Sequence, residues 1–393
     1  MTDRAAATRL GMAGGIATLL GIGMARFAYT PLIPALVDAG WFSTHDAAYL
    51  GAINLLGYLF GAALAHRATL MFGARAVLGV CLAITVVSFY ACALNLGGDI
   101  GVYWYGFWRL ACGVTGAMLV VVGAPAALSR VAPEHRARTG ALVFTGIGLG
   151  VMASGTLVPW LADLGVAVTW LALALISSAL ALWSWRAVWA GLTPLARTTK
   201  HGDPSAALPM LPIMLVIIGY GLDAIGFVPH TLFWVDYIAR ELGQGLTTGS
   251  LYWVLFGVGA ACGPIAAGAL ASRIDFRPAL AVGLAVKTVA VALPLVSVHP
   301  LALGLSSFFV GMLVPGTVTL TSGSIAALAT PERQQQLWGW ATLSFALAQA
   351  AAAYGMSGAY AHMASYRPLF AVAALSLVLA TISAAWAATR RVR

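Results

Sequence analysis

Apolar positions in this chain neither recur at the spacing of an amphipathic helix nor alternate as in a half-buried strand. They run in long blocks separated by short polar stretches. A helix needs roughly 20 such residues to cross about 30 Å of hydrocarbon, and the blocks predict twelve spans. The first six lie at 10–37, 46–65, 74–96, 101–129, 139–161 and 165–190. The second six lie at 209–238, 248–271, 278–298, 300–328, 337–360 and 368–388. A transmembrane β-barrel would instead show alternating segments of about ten residues.

Composition removes the soluble alternative. The chain is 61% hydrophobic and 8% charged, whereas soluble domains carry roughly 25% charged residues. The fold class is therefore an all-α polytopic membrane protein, and the 393 residues divide into spans rather than soluble domains. The first block is too long for a secretory signal and has no small-residue cleavage site. The net charge of +9 is a topology signal. Of 21 Lys and Arg, only Arg240 and Arg367 fall in outer loops and Arg26, Arg109 and Lys287 fall within spans. The others flank the opposite side, which places both termini in the cytoplasm of what reads as a bacterial inner membrane. Nucleic-acid binding would need a basic patch on a folded face, so no nucleic-acid partner is expected. Cys81, Cys92, Cys112 and Cys262 lie within spans without Cys-x-x-Cys spacing and read as small buried residues, not as metal ligands or disulfides.

The longest polar stretch, 191–208, joins two halves, 1–190 and 209–393. At an offset of 198, Gly21, Gly23, Pro31 and Asp38 fall on Gly219, Gly221, Pro229 and Asp236, and Gly113 falls on Gly311. The same offset overlays Pro133-Glu134 on Pro331-Glu332. The expected architecture is thus two pseudo-symmetric six-helix bundles. Parallel repeats of this kind build secondary transporters, with the substrate near the midplane between the halves.

Particular motifs narrow the family. Arg109-Leu-Ala-Cys-Gly113-Val-Thr-Gly116 resembles the Arg-x-x-x-Gly motif in the fourth helix of the major facilitator superfamily. Leu64-Ala-His66-Arg67 with Gly73-Ala-Arg75, and Gly268-Ala-Leu-Ala-Ser272-Arg273, resemble that family's cytoplasmic Gly-x-Leu-Ala-Asp-Arg-x-Gly-Arg signature. His66 and Ser272 stand where the family has acids, so the gate the resemblance implies here rests on Arg67, Arg75 and Arg273. Arg26-Phe-Ala-Tyr-Thr-Pro31 and Leu56-Gly-Tyr58 resemble the bacterial YbfB/YjiJ-type branch, which implies no substrate. Gly259-Ala-Ala-Cys-Gly-Pro264 resembles the Gly-Pro signature of drug antiporters, but it sits in span eight rather than span five.

Charges within spans point to function, because a central Arg costs from about 2.5 kcal/mol to above 10 kcal/mol. The resemblance implies that spans one, four, seven and ten line the cavity, which puts Arg26, Arg109 and Asp223 on cavity helices and Lys287 on peripheral span nine. Asp223 aligns with Ala25, next to Arg26. Arg26 is expected either to hold a substrate carboxylate or to pair with Asp223, whose protonation releases it; a permanent bridge between the halves is the structural alternative. Arg109 reads equally as a substrate or proton-coupling residue and as a packing residue on a small-residue face. Lys287 is expected to snorkel or to find a backbone carbonyl. Tyr29, Asn54, Tyr58, His230 and Gln349 outline a modestly polar pocket, and Trp104, Trp160, Trp170, Trp234 and Trp338 read as interfacial anchors.

No Walker loop, His-Glu-x-x-His or dinucleotide fingerprint is present, so neither an enzyme nor a cofactor is expected. The sequence reads as a monomeric secondary transporter of a small organic solute, with an anion favoured by two cavity arginines against one acid, and with a proton as the coupled ion. An exporter of lipophilic cations and a non-transporting receptor are the alternatives.

Overall fold

The computed structural model describes residues 3–193, 208–329 and 331–390. The linker expected at 191–208 therefore lies, except for its ends, outside the described residues, as do the side chains of both Pro-Glu pairs. The described chain is helical with no strand, and ten helical stretches are long and apolar enough to cross a membrane. The longest, Thr44–Cys92, carries predicted spans two and three in 49 residues. The polar segment expected there as a loop is itself helical, and only Gly73, at φ 78°, interrupts it. Span eleven, Pro331–Met363, is a full-length helix that falls outside those ten.

Span one, Arg4–Asp38, is irregular at its middle. A π-helical stretch, Leu19–Met24, gives way to turns before a new α-helix, Tyr29–Asp38. Pro31 is the cause: it has no N–H to give to the preceding turn, and its ring crowds the carbonyl four residues earlier. The Tyr29 N–H bonds the Arg26 carbonyl at 3.3 Å, so the Ala25 carbonyl is left without its helical donor. Span seven, Met210–Glu241, breaks beside the corresponding Pro229, where a π-helical stretch covers Pro229–Phe233.

The duplication reappears as a repeated crossing. A Cβ on Gly57 of span two would lie 2.2 Å from the Leu110 carbonyl oxygen, and one on Gly113 of span four would lie 2.1 Å from that of Asn54. In spans eight and ten, a Cβ on Gly259 would lie 2.1 Å from the Phe308 oxygen and one on Gly311 2.0 Å from the Phe256 oxygen. Only glycine permits such backbone approach. The turn after each crossing helix is repeated too: Gly73 (φ 78°, ψ 152°) has its counterpart in Asp275 (φ 67°, ψ 163°).

The two halves of the chain meet through packing and a few hydrogen bonds. Span five packs on span eight and span two on span eleven, while Phe27 meets Trp253 edge-on at 5.8 Å. Thr30 Oγ1 donates to the Thr231 carbonyl at 2.5 Å, Trp253 Nε1 to Ser154 Oγ at 3.2 Å, and Arg240 Nη1 to Thr44 Oγ1 at 2.9 Å. Arg240 is held from behind by Asp236 at 2.5 and 2.8 Å, and the Tyr366 hydroxyl donates to the same carboxylate. Among the described residues no ion pair joins the halves.

Some expectations are corrected by burial. Trp160 is exposed, but Trp170 and Trp234 are buried inside the bundle rather than anchored at an interface. Cys81, Cys92 and Cys112 are buried, whereas Cys262 is exposed, and all four are free.

The φ and ψ of Asp275 fall where glycine alone is unstrained, a cost of about 1–3 kcal/mol for another residue. Asp275→Gly is expected to stabilise the protein by about 1 kcal/mol, read as a higher unfolding midpoint in detergent. An unchanged or lower midpoint would show that the Asp275 side chain makes up for its backbone.

Candidate functional site

Arg26 lies in the irregular stretch of span one and is 8% exposed. Its guanidinium carbon sits 5.0 Å from the Phe27 ring, 5.3 Å from Phe227 and 5.8 Å from Tyr58. Among the described residues no carboxylate lies within ion-pair distance of it, and its Nη2 is buried without a hydrogen-bond partner. Each desolvated cation–π contact contributes about 2 kcal/mol against a burial cost that runs from about 2.5 kcal/mol to above 10 kcal/mol in a bilayer. Arg26 is thus a cation held by ring faces, with a guanidinium N–H left unsatisfied.

Arg109 is arranged differently. Its Nη1 donates at 2.8 Å to the Ala25 carbonyl, the group freed by the break in span one. The Cys112 thiol points to the same oxygen at 3.9 Å. The Tyr29 ring covers the guanidinium at 4.2 Å, and the Tyr29 hydroxyl is tied to the Ala47 carbonyl at 2.9 Å. Asn54 Nδ2 donates to the Arg109 carbonyl at 3.0 Å. Arg109, Tyr29 and Asn54 therefore form one cluster that holds the break of span one, although Arg109 Nε remains without a partner.

Asp223 does not pair with Arg26. Its Oδ1 accepts from Lys287 Nζ at 2.7 Å and its Oδ2 from Thr317 Oγ1 at 3.1 Å, with Asp223 and Lys287 both 1% exposed. Lys287 neither snorkels nor relies on a carbonyl alone; the Leu313 oxygen, at 3.4 Å, is its second acceptor. The pair joins spans seven and nine within the second half, so it does not bridge the halves. Phe227, one turn after Asp223, links it to the Arg26 cluster, because Lys287 Nζ lies 5.2 Å from that ring.

The remaining candidates divide. Tyr58 stands at Arg26. His230 is fully buried elsewhere, with Nε2 2.7 Å from Ser306 Oγ and its ring stacked 4.3 Å from Trp234. Gln349 is fully buried, and neither atom of its amide has a partner among the described residues. Arg67, Arg75 and Arg273 are exposed, and Arg75 lies 6.0 Å from the Trp185 ring. Among the described residues none of the three forms an ion pair. Sequence reasoning missed Phe227 and Thr317, and it missed Lys287 as a partner. The four-residue spacing from Asp223 to Phe227 signals a shared helix face, and the one lysine within the spans was the natural complement to Asp223.

Removing one member of a buried pair leaves the other uncompensated, at about 3–5 kcal/mol. Lys287→Met is therefore expected to destabilise the protein by that order in detergent unfolding, and the double variant Lys287→Met/Asp223→Asn to recover most of the loss. Equal destabilisation by single and double variants would count against the pair.

The comparisons with known proteins agree with this architecture. The family model for the uncharacterised MFS-type transporter YbfB matches residues 18–385. No functionally curated protein is detectably similar in sequence. Among solved structures, the xylose transporter XylE from E. coli, in a partially occluded inward-open conformation, superposes with a TM-score of 0.74 at 12% identity over 98% of this chain and 100% of its own. A D-xylose-proton symporter gives 0.71 at 13% identity over 95% and 96%. The nucleoside transporter NupG, as a point mutant, gives 0.72 at 10% over 96% and 99%. At these identities the structural likeness establishes the fold alone. Together with the family match and the repeated glycine crossing, it shows that the chain belongs to the YbfB-type family of major facilitator superfamily transporters and is not an enzyme.

Proposed function

We propose that the protein moves a small organic anion by alternating access, with Arg26 as the residue that holds it. The observation that carries this reading is the contrast among the three buried cations. Lys287 has Asp223, Arg109 has the Ala25 carbonyl, and Arg26 has aromatic rings and, among the described residues, no anion. On this reading 1–190 and 209–393 are the two moving bundles, joined by a cytoplasmic linker at 191–208, in a monomer of the bacterial inner membrane with both termini cytoplasmic. Arg67, Arg75 and Arg273 flank its cytoplasmic mouth.

Proton coupling runs through Asp223 in this scheme. A proton on Asp223 removes the counter-charge of Lys287 and makes the region around Phe227 one unit more positive. An anion at Arg26 then binds more favourably, and by linkage the anion favours the proton equally. Proton and anion move in the same direction. One structural neighbour is a D-xylose-proton symporter, which supports a proton-coupled reading. An exporter of cations fits less well, because the buried acids of the second half, Asp223 and Asp236, are already paired with Lys287 and Arg240.

Two variants separate function from support. Arg26→Met removes a cation with no partner and is expected to leave the protein as stable as before or more so. It is also expected to weaken anion binding by about 10- to 100-fold, the worth of a charged hydrogen bond. Arg109→Met is expected to lower stability, because it strands the Ala25 carbonyl. A thermal-shift screen of purified protein against organic anions, cations, sugars and nucleosides reads both effects. Stabilisation by cations or sugars alone would overturn the anion class.

A second measurement addresses coupling. In proteoliposomes, anion uptake is expected to rise as external pH falls, and Asp223→Asn to bind anion with a flat pH profile. A pH dependence retained by Asp223→Asn would remove Asp223 from the coupling role.

A further inference from the structure

The rings around Arg26 do not end at its cage. Phe227 stacks on Phe345 at 5.4 Å and 25°, Phe345 on Tyr220 at 4.5 Å and 29°, and Tyr220 on Trp338 at 5.9 Å and 28°. The four rings alternate between spans seven and eleven. They step from the middle of the helices toward the ends at which both begin, Met210 and Pro331. Phe227 and Tyr220 are buried, but Phe345 and Trp338 are half-buried and keep uncovered ring surface. One turn after Phe345, on the same face of span eleven, lies Gln349, both ends of whose amide are without a partner among the described residues.

This ladder constrains what accompanies an anionic group at Arg26. A polyhydroxylated body would press hydroxyls against ring faces that offer no hydrogen bonds in return. A planar apolar body lies against those faces in the offset or edge arrangements that aromatic pairs prefer. The number of charges is limited as well. A second carboxylate would have to displace Lys287 from Asp223 or Arg109 from the Ala25 carbonyl. The lone amide of Gln349 suits one further polar substituent.

We infer that the substrate is an aromatic monocarboxylate, its carboxylate on the Arg26 guanidinium and its ring against Phe227 and Phe345, the end of the ladder nearest Arg26. This inference rests on the anion reading of the same site and names the class of anion. It also assigns spans seven and eleven the specificity for the ligand body, while span one supplies the charge.

Calorimetric titration of the purified full-length protein tests it with benzoate, hexanoate, gluconate, phthalate and benzamide. Benzoate is expected to bind about tenfold or more tightly than hexanoate or gluconate, with ring stacking as the source of the difference. Phthalate and benzamide are expected to bind weakly. Phe345→Leu is expected to weaken benzoate about fivefold and to leave hexanoate unchanged. Phe345→Ile, at the same position, provides the same readout should Phe345→Leu fail to purify. Hexanoate or gluconate binding as tightly as benzoate, still abolished by Arg26→Gln, would overturn the aromatic class and leave the anion reading intact. Benzamide binding equal to benzoate, or benzoate binding indifferent to Arg26→Gln, would overturn both. Absence of benzoate binding to the wild-type protein would overturn the aromatic class.

Discussion

Hydrocarbon offers no hydrogen bonds, so every backbone group released from a helix inside the bilayer needs a partner from the protein. That constraint organises the centre of this transporter. Pro31 breaks span one, the break frees the Ala25 carbonyl, and Arg109 is the group that meets it. With Arg109 committed to the backbone, and Lys287 committed to Asp223, Arg26 becomes the exception. Its neighbours supply π-faces in place of lone pairs. A buried guanidinium left in that condition is the ground of the anion proposal, and the fold holds it where the Tyr29, Asn54 and Arg109 cluster fixes the helix around the break.

Much of the architecture was legible in the chain itself. The spans could be read because about 20 apolar residues in a row have no other use. The duplication could be read because glycines at backbone crossings cannot drift: Gly113 and Gly311 face carbonyl oxygens that a single Cβ would strike. The helical segment 66–72 could not be read, because polar residues at a membrane edge are compatible with a loop or with a helix emerging into water. The burial of Trp170 and Trp234 was hidden for a related reason. A tryptophan near a span end serves the interface or the bundle equally well until its neighbours are known.

The charge network was legible only in part. Arg26 stood out because a cation in the middle of a long apolar run is costly. Its separation from Asp223 did not follow, since the repeat alignment placed the two positions side by side. The actual partner of Asp223 lies 64 residues further on, on a helix that the family architecture treats as peripheral. Periodicity along one helix carries no record of which neighbour faces it. Phe227 shows the converse: its spacing from Asp223 placed both on one face, but its part in caging Arg26 needed span one to be set against span seven.

The clasp at Arg240 has an energetic consequence. Asp236 and Tyr366 hold the arginine within its own half, and only its bond to Thr44 reaches across. Parting the halves at that face leaves the ion pair whole and exchanges one hydroxyl acceptor of a charged donor for water, a change of about 1.5–3 kcal/mol. That bond is a small part of what holds the halves together at this face; the packing of span five on span eight and of span two on span eleven carries the rest, and it is this packing that has to slide if the bundles rearrange.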